Sequence, residues 1–134
     1  MIRIKIISIG KTKEPWLEQA LEEYVKRLQP YAEIQFILVK DDLQLEKKVL
    51  KEGFWIGLDS SGKQLSSEQF STFLQQQGAR ITFVIGGPDG LPTSLKQNLI
   101  SLSPLTFTHQ MARLILLEQV YRAFEIAKGS KYHK

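Results

Sequence analysis

Ile81-Thr82-Phe83-Val84-Ile85-Gly86-Gly87-Pro88-Asp89-Gly90 is the stretch on which the fold of this chain turns. A nearly continuous apolar run of this length reads as a strand covered on both faces, and the glycines, proline and aspartate behind it form the densest turn signal in the sequence. Such a strand belongs in a parallel sheet. Upstream, Ile2 to Ile9 is rich in β-branched residues and alternates at first, as a strand entering a core does, and Gly10 ends it. The period then changes. Trp16, Leu17, Ala20, Leu21, Tyr24, Val25 and Leu28 recur at helical spacing, with Pro15 in the first turn and Pro30 closing the element. A strand is expected over Ile34 to Val39, a helix over Asp42 to Lys51 and a strand over Phe54 to Leu58, followed by a Ser60-Ser61-Gly62 turn. Ser66 can cap a helix running from Ser67 to Gln77 while Gln69 reaches back, and Gly78 stops it. Downstream of the glycine turn the pattern predicts a short helix from Thr93 to Ile100, a strand at Leu105 to Phe107 and one long helix from His109 to Ala127. Strands and helices thus alternate with short connections, which predicts a single α/β domain over residues 1–134, a parallel sheet with helices on both faces.

In such sheets ligands sit beyond the C-terminal strand ends, which places Gly10, Asp59, Gly86 to Gly90 and the segment before His109 on one rim. The absence of cysteine excludes disulfides, Cys-ligated zinc, iron–sulfur clusters and thiol nucleophiles, and with only His109 and His133 as soft ligands no metal is expected. No run of about 20 apolar residues occurs, so no membrane partner is expected and the cytoplasm is the expected location. Lys and Arg exceed Asp and Glu by four, but the excess is not uniform. Up to Phe70 there are eleven of each sign; from Ser71 onward seven basic residues face three acidic ones. Five of those basic residues, Arg113, Arg122, Lys128, Lys131 and Lys134, lie in the last 22 positions. This placement suggests a local grip on a structured polyanion rather than a general affinity.

The glycine turn matches neither the dinucleotide nor the triphosphate fingerprint, so it is either a plain tight turn or a binding loop of another kind. In the last helix, Leu114 to Leu117, Val120, Tyr121, Ala123 and Phe124 leave only a narrow stripe of Glu118, Arg122 and Glu125, so the helix must be buried. Arg113 falls on the apolar side, where a guanidinium needs a partner: a dimer rim or a ligand contact would supply one. Glu118 and Arg122 have the spacing of an intrahelical ion pair, which competes with a functional role for Arg122. His109 follows a possible cap, Thr108, and is either structural or functional. Ser130-Lys131-Tyr132-His133-Lys134 reads as a frayed end or as a nucleotide-recognition tail, with a ring to stack and cations for phosphate.

Four ordered blocks sharpen this reading: Phe83 to Leu91; Leu102-Ser103-Pro104-Leu105-Thr106-Phe107-Thr108-His109-Gln110-Met111; Glu118-Gln119-Val120-Tyr121-Arg122-Ala123; and Tyr132-His133-Lys134. With them the sequence resembles the ribosomal RNA large subunit methyltransferase H family, a minimal branch of the SPOUT superfamily. The resemblance runs from Met1 to Lys134 and includes Gly10-Lys11 and the Leu58-Asp59 to Ser66-Ser67-Glu68 region. It implies a sheet whose C-terminal segment is tucked through a trefoil knot, a homodimer, and S-adenosylmethionine as methyl donor. The implied substrate is 23S ribosomal RNA within the ribosome or large subunit, methylated at N3 of pseudouridine 1915. Leu58, Gly86 and the loop Leu102, Ser103, Pro104, Leu105, Thr106 and Phe107 are the implied cofactor residues. On this reading the tail of one subunit completes the partner's site, with Tyr132, His133 and Arg122 as catalytic residues and His109, Arg113, Lys131 and Lys134 as substrate contacts. Two departures stand out. Thr108 occupies a position where the family usually has proline, and the link from the glycine turn to the Leu102 loop is shorter than usual. A non-catalytic RNA- or ribosome-binding protein with a degenerate pocket is the alternative, and a flavodoxin-like nucleotide-binding module is a third reading.

Overall fold

A computed structural model describes all residues, 1–134. Five parallel strands form one sheet: β1 (Ile2–Ile9), β2 (Ala32–Val39), β3 (Ile56–Gln64), β4 (Arg80–Ile85) and β5 (Ile100–Ser101). Their order across the sheet is β2-β1-β4-β3-β5. β4, the strand of the opening stretch, lies at the centre between β1 and β3, which is why it is apolar on both faces.

Helices α1 (Pro15–Leu28), α3 (Ser67–Gln75) and α4 (His109–Lys128) cover one face, over Ile4, Ile6, Phe83 and Ile85. α2 (Asp42–Val49) and a single 3₁₀ turn, Thr93–Leu95, cover part of the other, over Ile7, Ile9 and Val84. The alternation along β1 explains both layers, since successive side chains point to opposite faces. The expected capping box is present: Ser66 Oγ accepts from Gln69 N at 3.0 Å, and Gln69 Oε1 accepts from Ser66 N at 2.9 Å. No helix is long and apolar enough to cross a membrane.

Three expectations near the C-terminal edge need correction, and each has a tertiary cause. β3 does not stop at Leu58 before a turn at Ser60-Ser61-Gly62. It continues to Gln64 because β5 supplies a partner, with a bulge between Leu58 and Lys63. Gly62 serves close approach, since a Cβ there would lie 2.7 Å from the Ile100 backbone. The helix expected from Thr93 to Ile100 is only the 3₁₀ turn. Asn98 adopts φ 51° and donates from Nδ2 to Trp55 O at 3.0 Å, while Trp55 Nε1 donates to Leu95 O at 3.0 Å. The last strand is Ile100–Ser101, not Leu105 to Phe107. There Ser101 Oγ donates to Ser103 O at 2.9 Å and Leu105 N donates to Ser103 Oγ at 3.0 Å, so local bonds hold an irregular loop. Smaller differences are confined to ends: β2 begins at Ala32, α2 ends at Val49 and α3 at Gln75.

Candidate functional site

Beyond the C-terminal end of β4 and beside the bulged middle of β3 lies a cavity of about 850 Å³, within the ordinary ~300–1,000 Å³ range of small-molecule sites. Leu58 and Asp59 of β3, Ile85 at the end of β4, the turn Gly86 to Gly90 and the first residues of α4 line it. So do Leu102, Ser103, Leu105, Thr106 and Phe107; Pro104 alone of the expected cofactor residues does not. Of the rim expected from strand order, Asp59, Gly86 to Gly90 and the segment before His109 share this site, and Gly10 meets it only through His109.

Its backbone is tightly folded. A Cβ on Gly86 would overlap the Gly90 carbonyl and lie 2.8 Å from Leu91 N, so the turn closes only with glycine at that position. Gly90 has φ +84°, and its Cβ direction points at Asp59 Oδ1, 3.6 Å away. Asp59 Oδ2 accepts from Ser61 N at 3.0 Å and from the Ser61 hydroxyl, which holds this carboxyl below the usual carboxylate range.

α4 begins at the cavity. Thr108 Oγ1 accepts from Met111 N at 3.2 Å, so threonine supplies a cap where proline would have none. His109 lines the cavity and rests on the loop after β1, where a Cβ on Gly10 would lie 2.9 Å from its Nε2. Burial, then the charges of Arg113 and Lys13, lower the His109 pKa. With the folded value below the unfolded one, neutral His109 stabilises the fold above about pH 6.5. That contribution is lost as pH falls from there through the folded value. His109→Gln is accordingly expected to flatten the pH dependence of stability below pH 6.5, measured by urea unfolding across pH 5–8; an unchanged slope would mean that the imidazole is not held neutral.

Arg113 is fully buried, and within the chain its guanidinium is taken up by the end of β1 and the loop after it. Nε donates to Ser8 Oγ at 2.9 Å, Nη1 to Thr12 Oγ1 at 2.9 Å, and Nη2 to the carbonyls of Ile9, at 2.6 Å, and Gly10. Burial lowers its pKa to about 10, so it stays charged at neutral pH. The guanidinium fixes the β1 end and the loop forming one wall of the site. Ser8 and Thr12 were not evident as partners in the sequence; the signal available was a serine in the apolar second half of β1 and an arginine in an otherwise apolar helix face.

The remaining expected residues gather elsewhere, along the second half of α4. The tail doubles back along that helix to Glu118, about 14 Å from His109 at the cavity, and none of these residues lines the cavity of its own chain. The tail is not frayed. Tyr132 OH donates to Glu118 Oε2 at 2.8 Å, its ring packs edge-on against Tyr121 with centroids 4.9 Å apart, and Arg122 lies 4.9 Å from its centre. Burial, then Tyr24 and Glu118, raise the Tyr132 pKa. Arg122 makes the expected ion pair with Glu118 at 2.9 Å and also meets His133 Nδ1 at 3.0 Å. Because arginine only donates, Nδ1 is the acceptor and Nε2 carries the proton, facing Glu68 Oε1 at 3.1 Å. Lys131 and Lys134 are exposed beside this cluster. The neighbours of the cavity missed as site residues include Lys13 and Trp16, the latter expected on the apolar face of α1 but 57% exposed.

Comparison with known proteins agrees with this geometry. A family model described as "Predicted SPOUT methyltransferase" matches residues 2–133. The ribosomal RNA large subunit methyltransferase H of Protochlamydia amoebophila is 54% identical over 140 residues, covering 100% of both chains. The protein of the same name from Carboxydothermus hydrogenoformans is 40% identical over 159 residues, covering 99% of this chain and 100% of its own. Among solved structures, TrmJ from Z. mobilis ZM4 superposes with a TM-score of 0.54 at 9% identity, over 92% of this chain and 70% of that one, a likeness of fold. With matches spanning its whole length, the chain belongs to the SPOUT methyltransferases and, among them, to the ribosomal RNA large subunit methyltransferase H family.

Proposed function

We propose that this chain methylates N3 of a pseudouridine in 23S ribosomal RNA, with S-adenosylmethionine as donor, and that it works as a homodimer on the ribosome or large subunit. The observation that carries the reading is the single cavity at the strand ends, walled by the glycine turn and the Leu102 to Phe107 loop. Its residues suit the donor: Leu58, Leu102 and Met111 offer apolar surface for an adenine and a thioether stem, and the glycine turn brings backbone close. When bound, the cofactor supplies an electrophilic methyl group. The protein must hold the base in line with that group and manage the imino proton.

The tail supplies what the cavity lacks. In the dimer, Tyr132, His133 and Arg122 of one subunit complete the site of the other, since none of the three lines the cavity of its own chain. His133 accepts the proton or positions the nucleotide, and the Arg122 charge beside it eases negative charge developing on the base. Lys131 and Lys134 hold phosphates, and His109 stands at the cavity edge on the substrate side. The trefoil knot belongs to the same proposal: after β4 the chain passes beyond β3 to form β5 and returns as α4 to the opposite face.

Incubation of the protein with labelled S-adenosylmethionine and unmodified ribosomes, followed by mass spectrometry of rRNA nucleosides, is expected to place the label on one pseudouridine. A folded dimer that binds no S-adenosylmethionine by calorimetry would favour the non-catalytic alternative. Gly86→Ala is expected to weaken cofactor binding about 10- to 100-fold through strain in the turn. Gly87→Ala is the control, since its Cβ meets only Ile9 at ordinary contact distance, 3.5 Å.

A further inference from the structure

The two tryptophans have opposite settings. Trp55 is 6% exposed with its indole N–H bonded to Leu95 O, whereas Trp16, in the first turn of α1, is 57% exposed. Leu17, the next residue, turns into the core and is 2% exposed, which leaves Trp16 on the wall of the same cavity as Leu58 and Gly86. An exposed indole at a pocket mouth is large apolar surface left without a protein neighbour. Lys13 lies on this wall too. Its backbone N–H donates to Gln110 Oε1 at 3.0 Å, tying it to the start of α4, and no carboxylate lies within ion-pair distance of its ammonium.

We propose that Trp16 and Lys13 form a docking platform for one nucleotide of the RNA substrate beside the methyl-donor pocket, its base stacked on the indole and its phosphate held by the ammonium. A ring beside a cation is the pair of contacts by which single-stranded RNA is gripped irrespective of sequence. The uncompensated charge selects a phosphate-bearing occupant, because an apolar surface would bury Lys13 without a partner. Glu14 and Asp89 share the rim, so the attraction for phosphate is local to the Lys13 side. The platform rests on the reading of the cavity as a methyl-donor site.

The test compares the wild type with Trp16→Ala, Trp16→Phe and Lys13→Ala. It measures binding of unmodified ribosomes by co-sedimentation, ribosome KM and kcat in methylation, S-adenosylmethionine affinity by calorimetry, and oligomeric state by light scattering. Trp16→Ala is expected to raise the ribosome Kd and KM at least about fivefold, the low end of what one base–aromatic stack contributes. The change in cofactor affinity is expected to be smaller than that in ribosome affinity and oligomeric state to stay as in the wild type, with Trp16→Phe recovering most of the loss and Lys13→Ala weakening ribosome binding and reducing its salt dependence. Unchanged ribosome affinity in Trp16→Ala would overturn the platform, as would loss of a wild-type dimer, which would make a second copy the occupant. A wild type that binds ribosomes without methylating them refutes the catalytic reading and leaves the binding comparison intact; one that does not bind them overturns both.

Discussion

A chain ending at Gly129 is expected to lose at least about 100-fold in rRNA methylation while keeping its fold and its affinity for S-adenosylmethionine. The reason is the division of labour along α4. The cavity is built from strands, loops and the first turns of α1 and α4, so removing residues 130–134 takes nothing from its walls. The tail's own contacts, Tyr132 to Glu118 and His133 to Glu68, lie at a half-exposed surface, where such pairs contribute about 1 kcal/mol or less each. In the proposed mechanism what is lost is the set of groups that positions the target base, and misplacing a reacting group by about 1 Å already costs about 100-fold. Methylation of unmodified ribosomes, measured beside cofactor calorimetry and a thermal melt, separates the cases. Full methylation by the truncated chain would remove the tail from the mechanism, and lost cofactor binding would relocate its role to the cavity.

Replacement of Arg113 by alanine is expected to destabilise the fold by about 3–5 kcal/mol, equivalent to a fall in Tm of about 10 °C or more for a chain of this size. Two costs combine. The deletion opens a void among fully buried side chains of α4 and leaves the acceptors on Ser8, Ile9 and Gly10 without their donor. Arg113→Lys is expected to recover less than half, because an ammonium on a flexible stem cannot reach four acceptors spread around a planar fork. Urea denaturation and thermal melts read the effect directly. A change below about 1 kcal/mol for the alanine variant would show that the loop after β1 is held by other contacts.

Arg113 also marks the boundary of what a linear reading can reach. That a guanidinium on an apolar helix face needs an acceptor followed from burial energetics, but which acceptor depended on β1 and α4 being neighbours across more than a hundred residues. The same limit applies to Trp16: helical periodicity groups it with Leu17, yet two successive helix positions point about 100° apart, and only the docking of α1 on α4 decides which is covered. By contrast, the core strands, the capping box at Ser66 and the cap at Thr108 depend on local pattern and were legible residue by residue.

The rim on which the site stands was legible for the same reason, since alternating strands and helices imply a parallel sheet and parallel sheets collect loops at one end. The edge at β3 and β5 was not. Ser60-Ser61-Gly62 has the composition of a turn and Leu105 to Phe107 that of a strand, yet the first is strand and the second is loop. A two-residue strand such as Ile100–Ser101 has no period to detect; it exists because β3 offers an open ladder and Gly62 lets the backbones meet. Local chemistry thus set the alternating elements, their caps and the glycine turn that borders the cavity. Long-range hydrogen bonding and packing decided where the sheet ends, which cation faces inward, and that the tail folds back on the middle of α4 rather than lining the cavity of its own chain.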